Sequence, residues 1–405
     1  MIPFKKTSKH LTKRSVEPAL KHIEELWPQL KRTQKEDTNT LIGLPNPYIV
    51  PSLGDEHFHF QEQYYWDSYF TSLGLDDEEL VTGMLDNLIY MFERFNLIPN
   101  ASRFYMTSRS HPPLLTSYIF MVYDKYGKKK DWLKRRLAAA ELEYHHVWMG
   151  KDHPMWHNVH KGLSRYYDIN VLHDLAEAES GWDMTPRFER KCLDYLPIDL
   201  NSLLFKYEMD FARGAEINED YEKAQEWRAL AEARRANIDK LMFSKLKGYY
   251  FDYDFIKQSR GDTWSLAGFY PMWAGMASRE QADRLVGNLN KFLKKGGLVT
   301  TAGIFMYPQL FGSLPTQWAF PNGWAPLHAI VIDGLERYGY HEEATKVAMR
   351  WLHTNVEWYR KNHHFLEKYN VNNPSKNPVE GVYPSQVGFG WTNGVFVYLS
   401  NKYVK

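Results

Sequence analysis

The sequence predicts an all-α chain built as a helical barrel with long loops at one end. Three observations carry this. Roughly twelve segments repeat apolar residues at helical spacing. No sustained strand–helix alternation is present, which argues against a parallel sheet. Long aromatic-rich loops recur after alternate helices, and loops of that length inside a domain are usually functional. Paired helices in two rings, with the loops of one end lining a central cleft, satisfy all three. Ring closure itself is inferred, because periodicity does not show it.

Taken in order, residues 17–33 have helical spacing, with Pro28 marking a bend. Residues 37–60 are rich in Pro, Gly and Asn and read as loop, and residues 61–71 bring Glu62, Tyr64, Trp66, Asp67 and Tyr69 together in an irregular aromatic segment. Residues 76–96 form a strongly amphipathic helix that opens on acids, as the positive end of a helix dipole favours. A polar loop at 109–113 precedes a helix ending near Tyr126, and residues 131–147 form the next helix. A turn at 162–168 leads to a helix over 171–179. Residues 199–215 and 217–243 read as consecutive helices rich in Ala, Leu, Glu and Arg. Residues 248–254 alternate and predict a short strand. Helices resume at 264–276 and 279–294, and Gly296-Gly297 stops the second of these. An irregular stretch (298–323) precedes helices at 324–338 and 341–358; a long loop (367–390) then leads into a last apolar helix.

A chain of 405 residues can bury a large core, and no low-complexity linker divides it, so a single domain over 1–405 is expected. Lys+Arg 50 against Asp+Glu 49 is almost neutral, which argues against a nucleic-acid partner. Residues 1–16 are expected to be a mobile basic tail (Lys5, Lys6, Lys9, Lys13, Arg14) without the apolar region of a signal peptide. No apolar run is long enough to span a bilayer, so no membrane partner is expected. The lone Cys192 forbids an internal disulfide and suggests the cytoplasm. Aromatic content is high, with 14 Trp, 27 Tyr and 22 Phe, many beside Asp, Asn, Gln, Gly or His. Much of this is core. The remainder suits a cleft for a small-molecule sugar, whose flat apolar faces stack on aromatic rings.

The densest chemistry lies at Glu179-Ser180-Gly181-Trp182-Asp183-Met184-Thr185-Pro186-Arg187. Gly181 breaks the preceding helix and allows close approach to the backbone. Trp182 is an apolar wall able to lift a carboxyl pKa or stack on a sugar. Taken alone, the run also fits a helix C-terminus with Asp183 paired to Arg187. Sugar hydrolysis needs a carboxylic acid and a carboxylate. The acids in irregular aromatic segments are Glu62, Asp67, Glu179, Asp183, Glu367 and Glu380. Histidines are numerous, yet no HExxH or paired Cys/His spacing occurs, so no metal and no cofactor are expected. Walker, GxGxxG and GxSxG motifs are absent as well.

The motifs together resemble the trehalase family of inverting glycoside hydrolases. The family signature P-G-G-R-F-x-E-x-Y-x-W-D-x-Y is matched from Phe60 through Glu62, Tyr64, Trp66 and Asp67 to Tyr69. Its Q-W-D-x-P-x-G-W-A-P is similar to Gln317-Trp318-Ala319-Phe320-Pro321-Asn322-Gly323-Trp324-Ala325-Pro326. E-S-G-W-D is Glu179 to Asp183; E-K-Y and G-F-G-W-T-N-G are Glu367-Lys368-Tyr369 and Gly388 to Gly394. The R-S-Q-P-P segment stands as Arg109-Ser110-His111-Pro112-Pro113, and the loop Asn as Asn100.

The resemblance implies an (α/α)6 barrel and an inverting α-glycosidase, with Asp183 the general acid and Glu367 the general base. Such a pair stands about 6.5–9.5 Å apart, leaving room for a water. It places His59, Phe60, Trp66, Asp67, Asn100, Arg109, His111, Gly181, Trp182, Gln317, Trp318, Trp324, Glu380, Gln386 and Trp391 around the substrate. The sequence departs from the family at His59 (Arg expected), Ala319 (Asp expected) and Val382 (Glu expected, with Glu380 two residues earlier), and it lacks the R-P-E segment. Such polar groups discriminate strongly between substrates. Trehalose or a similar small α-glucoside is the expected substrate. A charged compatible solute such as glucosylglycerate or mannosylglycerate is the alternative, and a non-catalytic sugar-binding protein a third.

Overall fold

The computed structural model describes residues 11–54, 59–303, 316–381 and 384–405. Among these, α1 (Lys13–Leu30) runs through Pro28 without ending there, and Leu11 and Val16 are buried. The expected tail therefore does not reach residue 16. Its residues 1–10 lie outside those described, as do His57, Val382 and residues 304–315.

α2 (Tyr65–Ser72) replaces the irregular segment expected there. All eight of its residues are buried, so it has no polar face and leaves no amphipathic period to read. α3 (Glu78–Phe95) starts where the Asp77 side chain accepts the Leu80 N–H at 2.9 Å, and ends on Asn96 in the left-handed conformation. α4 (Leu115–Tyr126) and α5 (Lys130–Glu143) follow, and α5 runs into a π-helical turn, Tyr144–Trp148. α6 (His173–Glu179) ends at Gly181, whose φ is 71°. α7 (Ile198–Ile217) and α8 (Tyr221–Met242) are separated by residues 218–220, and Asp220 caps α8 through the Lys223 N–H.

Residues 264–276 were expected to be one helix but form a 3₁₀ turn, Leu266–Phe269, and the short α9 (Tyr270–Trp273), with Pro271 fixing its first turn. α10 (Arg279–Asn288) opens on a capping box of Ser278 and Gln281 and ends earlier than expected. Its successor is a small ribbon, Leu293–Lys294 with Gly297–Leu298. α11 (Ala325–Arg337), α12 (His341–Asn362) and α13 (Gly390–Tyr403) complete the helices. Strands are two or three residues long and antiparallel. The one expected at 248–254 is split between Tyr249–Tyr250 and Tyr253–Asp254 in separate ribbons. The ribbon that matters below pairs Asn322–Trp324 with Lys368–Asn370.

Helices pack in a consistent order. α4 meets α7, α7 meets α9, α9 meets α11, α11 meets α13, and α13 returns to α2. Ser72 Oγ of α2 and Tyr118 OH of α4 lie 2.6 Å apart and link α2 to α4. Against this series, α3 and α5 pack on α4, α8 on α7, and α12 on α11, while α1 lies on α12 and α13. The chain is thus mostly helical, with one large apolar core running through it.

Candidate active site

A cavity of about 210 Å³ opens where the ends of these helices and the loops between them converge. Twelve of the seventeen expected residues line it: Phe60, Trp66, Asp67, Asn100, Arg109, His111, Gly181, Asp183, Trp318, Trp324, Glu367 and Trp391. Segments far apart in sequence therefore meet at one place, with three carboxyl groups among them.

Asp183 follows the turn that ends α6. At Gly181 a Cβ would lie 2.8 Å from the Trp66 indole, so only glycine lets the turn approach that wall. Two buried acids secure the turn. Glu179 accepts the Ser110 N–H at 2.8 Å, the Tyr167 N–H at 2.6 Å and His157 Nε2 at 3.1 Å. Glu177 accepts the Thr185 N–H at 2.9 Å; burial, with Asp183 nearby, pushes its carboxyl up to about 8. Asp183 faces the cavity and is only partly exposed. Burial first, then the charge of Glu367, pushes it up to about 6, against the pull of Lys368 and Trp318. Gln317 Nε2 donates to Asp183 Oδ2 at 3.0 Å.

Glu367 enters from the other side. Its N–H donates to the Gln386 carbonyl at 2.9 Å, and its own carbonyl accepts the Trp391 Nε1–H at 3.0 Å. Its Oε2 lies 2.7 Å from Lys368 Nζ, and both side chains are buried. Asp67, in the first turn of α2, is the third carboxyl. Burial raises it well above the usual carboxylate range, and Glu367 and Asp183 add to the rise. His111 is held well below the ordinary histidine range by burial and by Arg109, so it is neutral, and its Nδ1 accepts the Trp66 N–H at 3.5 Å. Arg109 is oriented by Asp168 Oδ2 at 3.1 Å. Asn100 Nδ2 donates to the Ser110 and Ala178 carbonyls, joining the loop before α4 to the last turn of α6.

Five expected residues do not line the cavity. His59 is exposed, its Nδ1 3.2 Å from the Leu53 carbonyl. Glu380 is exposed as well. Gln386 is buried, but its amide donates to the Pro384 carbonyl, so it supports Glu367 through the backbone. Gln317 is fully buried and holds Asp183. Trp182 stands behind the wall, stacked 5.5 Å from Trp318, with the Arg187 guanidinium 4.4 Å from its ring centre. Arg187 forks onto Asp199 and Asp252, so the alternative pairing of Asp183 with Arg187 is not the one adopted. Glu62 and Glu179 are consumed by Arg103 and His157 and lie outside the cavity. Sequence reasoning missed Glu177, whose place on a helix reads as a solvated face. It also gave Lys368 no role, although the residue lies beside Glu367 in the sequence.

A family model described as trehalase matches residues 3–179 and 151–403. The chain belongs to the trehalase family. Periplasmic trehalases of Xanthomonas axonopodis pv. citri (strain 306) and Xanthomonas campestris pv. campestris (strain 8004) are each 35% identical, covering 94% of this chain and 73% of their own. Among solved structures, neutral trehalase from Saccharomyces cerevisiae superposes with a TM-score of 0.75 at 27% identity, covering 94% of this chain and 79% of its own. Mannosylglycerate hydrolase from Thermus thermophilus, solved with glucose, has a TM-score of 0.68 at 16% identity over 93% of this chain and 98% of its own, and shares the fold. This trehalase-family chain is a glycoside hydrolase. The cytoplasmic location expected above is overturned by the periplasmic relatives. A single buried cysteine shows only that no internal disulfide forms, which holds in either compartment. No helix among the described residues is long and apolar enough to cross a membrane.

Proposed function

We propose that the protein hydrolyses trehalose, or a small α-glucoside like it, with inversion, and does so as a single (α/α)6 domain. The cyclic packing order of α2, α4, α7, α9, α11 and α13, backed by a second set of helices, supports the barrel. One observation carries the chemistry. Asp183 and Glu367 share a cavity in which the first is pushed towards its acid form while the second is paired with an ammonium.

Asp183 then protonates the glycosidic oxygen as the C–O bond breaks. Glu367 takes a proton from the water that attacks the anomeric carbon on the opposite face. Trp66, Trp318, Trp324 and Trp391 wall the sugar, and Asp67, Asn100 and Arg109 meet its hydroxyls. Proton NMR taken within the first minute tests the stereochemistry. Inversion releases one α- and one β-glucose per trehalose; release of α-glucose alone would sink it. Asp183→Asn and Glu367→Gln should each lower kcat at least about 100-fold.

Ala319 favours a second reading. It is buried beside Trp318 and removes the negative charge that the family signature carries there, which suits an anionic leaving group such as glycerate. Turnover of glucosylglycerate or mannosylglycerate without turnover of trehalose decides for it.

A further inference from the structure

Asp67, Asp183 and Glu367 face one cavity. The other two carboxyls raise the proton affinity of Asp67, and Glu367 raises that of Asp183. Hydrolysis requires that one particular carboxyl stay ionised and another stay protonated, yet all three face the same cavity. An asymmetry must select between them.

Lys368 supplies it. Its Nζ is 2.7 Å from Glu367 Oε2, with both side chains shielded from solvent. A charge-assisted bond in such a place is far stronger than one in water. The position of the ammonium is also well determined. Lys368 and Trp324 are direct partners across the two-stranded ribbon, and cross-strand partners lie on the same face. The ammonium accordingly lies 5.0 Å from the centre of the Trp324 ring. Trp324 stacks on Trp318 at 3.7 Å and 3°, Trp318 stacks on Trp182 at 5.5 Å and 25°, and Arg187 closes the far end. Three indoles thus stand in file between two cations. Trp182 immediately precedes Asp183 and Lys368 immediately follows Glu367, so the file joins the backbone of one carboxyl to that of the other.

We propose that Lys368 is a positioning residue that fixes the negative charge on Glu367 and so decides which carboxyl is base and which is acid, with the indole file setting its distance from Asp183. This rests on the acid and base roles proposed above. In each turnover the Asp183 proton leaves with the glycosidic oxygen and a water proton arrives on Glu367. Lys368 keeps its own protons, and exchange with solvent returns the site to its starting state. Lys368 acts on Glu367 directly and on Asp183 through charge, while Asp67 and Arg109 line the same cavity as the two carboxyls.

The test is the pH profile of kcat/KM for trehalose with the full chain, wild type against Lys368→Met. Loss of the ammonium makes both carboxyls harder to ionise, so the acid and alkaline limbs should both move up by about one pH unit. Activity on the acid limb should fall, by up to about tenfold at its low-pH end, and return as the pH rises. Lys368→Arg keeps the charge, so its limbs should stay in place while kcat drops. Lys368→Gln replaces Met if that variant does not fold, and its limbs should move the same way. If neither neutral variant folds, displaced limbs in Lys368→Arg overturn the proposal and unmoved limbs support it. A uniform fall in rate with unmoved limbs in Lys368→Met means that Lys368 serves only the fold. Full activity in Asp183→Asn or Glu367→Gln would remove the acid/base reading itself. Inactive Asp183→Asn and Glu367→Gln, combined with unmoved limbs in Lys368→Met, would remove only the inference about Lys368.

Discussion

Gly181 sits where the acid-bearing turn meets the Trp66 indole, with a positive φ and no space for a side chain. Gly181→Ala should strain the turn by about 1–3 kcal/mol and push Asp183 off its line. A displacement near 1 Å costs about 100-fold in rate, so initial rates should fall by that order while the melting temperature drops only modestly. Unchanged rates would show that the turn tolerates the methyl group. Asp183 makes a second prediction. An acid pushed up to about 6 is protonated below that pH and ionised above it, so kcat/KM should decline above about pH 6 as the general acid is lost. A profile flat to pH 8 would contradict it. The two carboxyls of the proposed pair were legible in the sequence because each sits in a short dense motif, whereas neighbouring roles were not. Gln317 and Trp182 belong to the same motifs, but the side of a cleft that a motif residue serves depends on packing between segments. In extended chain, successive side chains point to opposite faces, which hides the contact of Lys368 with Glu367.

Helix α2 carries Asp67 and touches α13 so closely that neither has room for a side chain at the crossing. A Cβ on Gly394 would come within 2.5 Å of the Phe70 carbonyl, and one on Gly74 would collide with the Gly394 backbone. Gly394→Ala should therefore destabilise by about 1–3 kcal/mol and weaken activity, because α2 and Trp391 move with the crossing. Thermal melting with parallel assays checks this, and an unchanged melting temperature would refute it. Arg187 plays a comparable part between elements, forking onto Asp199 of α7 and onto Asp252 beneath the Trp182 ring. Arg187→Met leaves two buried carboxylates unpaired and should cost about 3–5 kcal/mol, read by urea titration. Long amphipathic helices such as α3, α8 and α12 were legible from period alone. α2 was not, since a helix buried on every side has no stripe to detect, and α9, shorter than two turns, was read only as part of a longer helix over 264–276.

At the scale of the molecule, three buried acids share one behaviour. Asp183, Glu143 and Glu177 are pushed up to about 6, 7 and 8, mainly by burial. Each holds its proton in the native state at a pH where the unfolded chain has released it. Stability from these groups is complete below the ordinary carboxylate range and is lost as the pH rises through 6 to 8. The melting temperature should fall between pH 5 and pH 8, and Glu143→Gln should flatten that slope; a slope of the opposite sign would refute the argument. The packing order of the helices also has a consequence for how the protein is made. α2 emerges from the ribosome early, but the surface it rests on is α13, more than three hundred residues later. Until residues 390–403 have been synthesised, Trp391 is missing and α2 has only α3 and α4 to rest on. Nascent chains stalled before that point should thus have no working cleft, and the protein should gain activity only when α13 docks against α2.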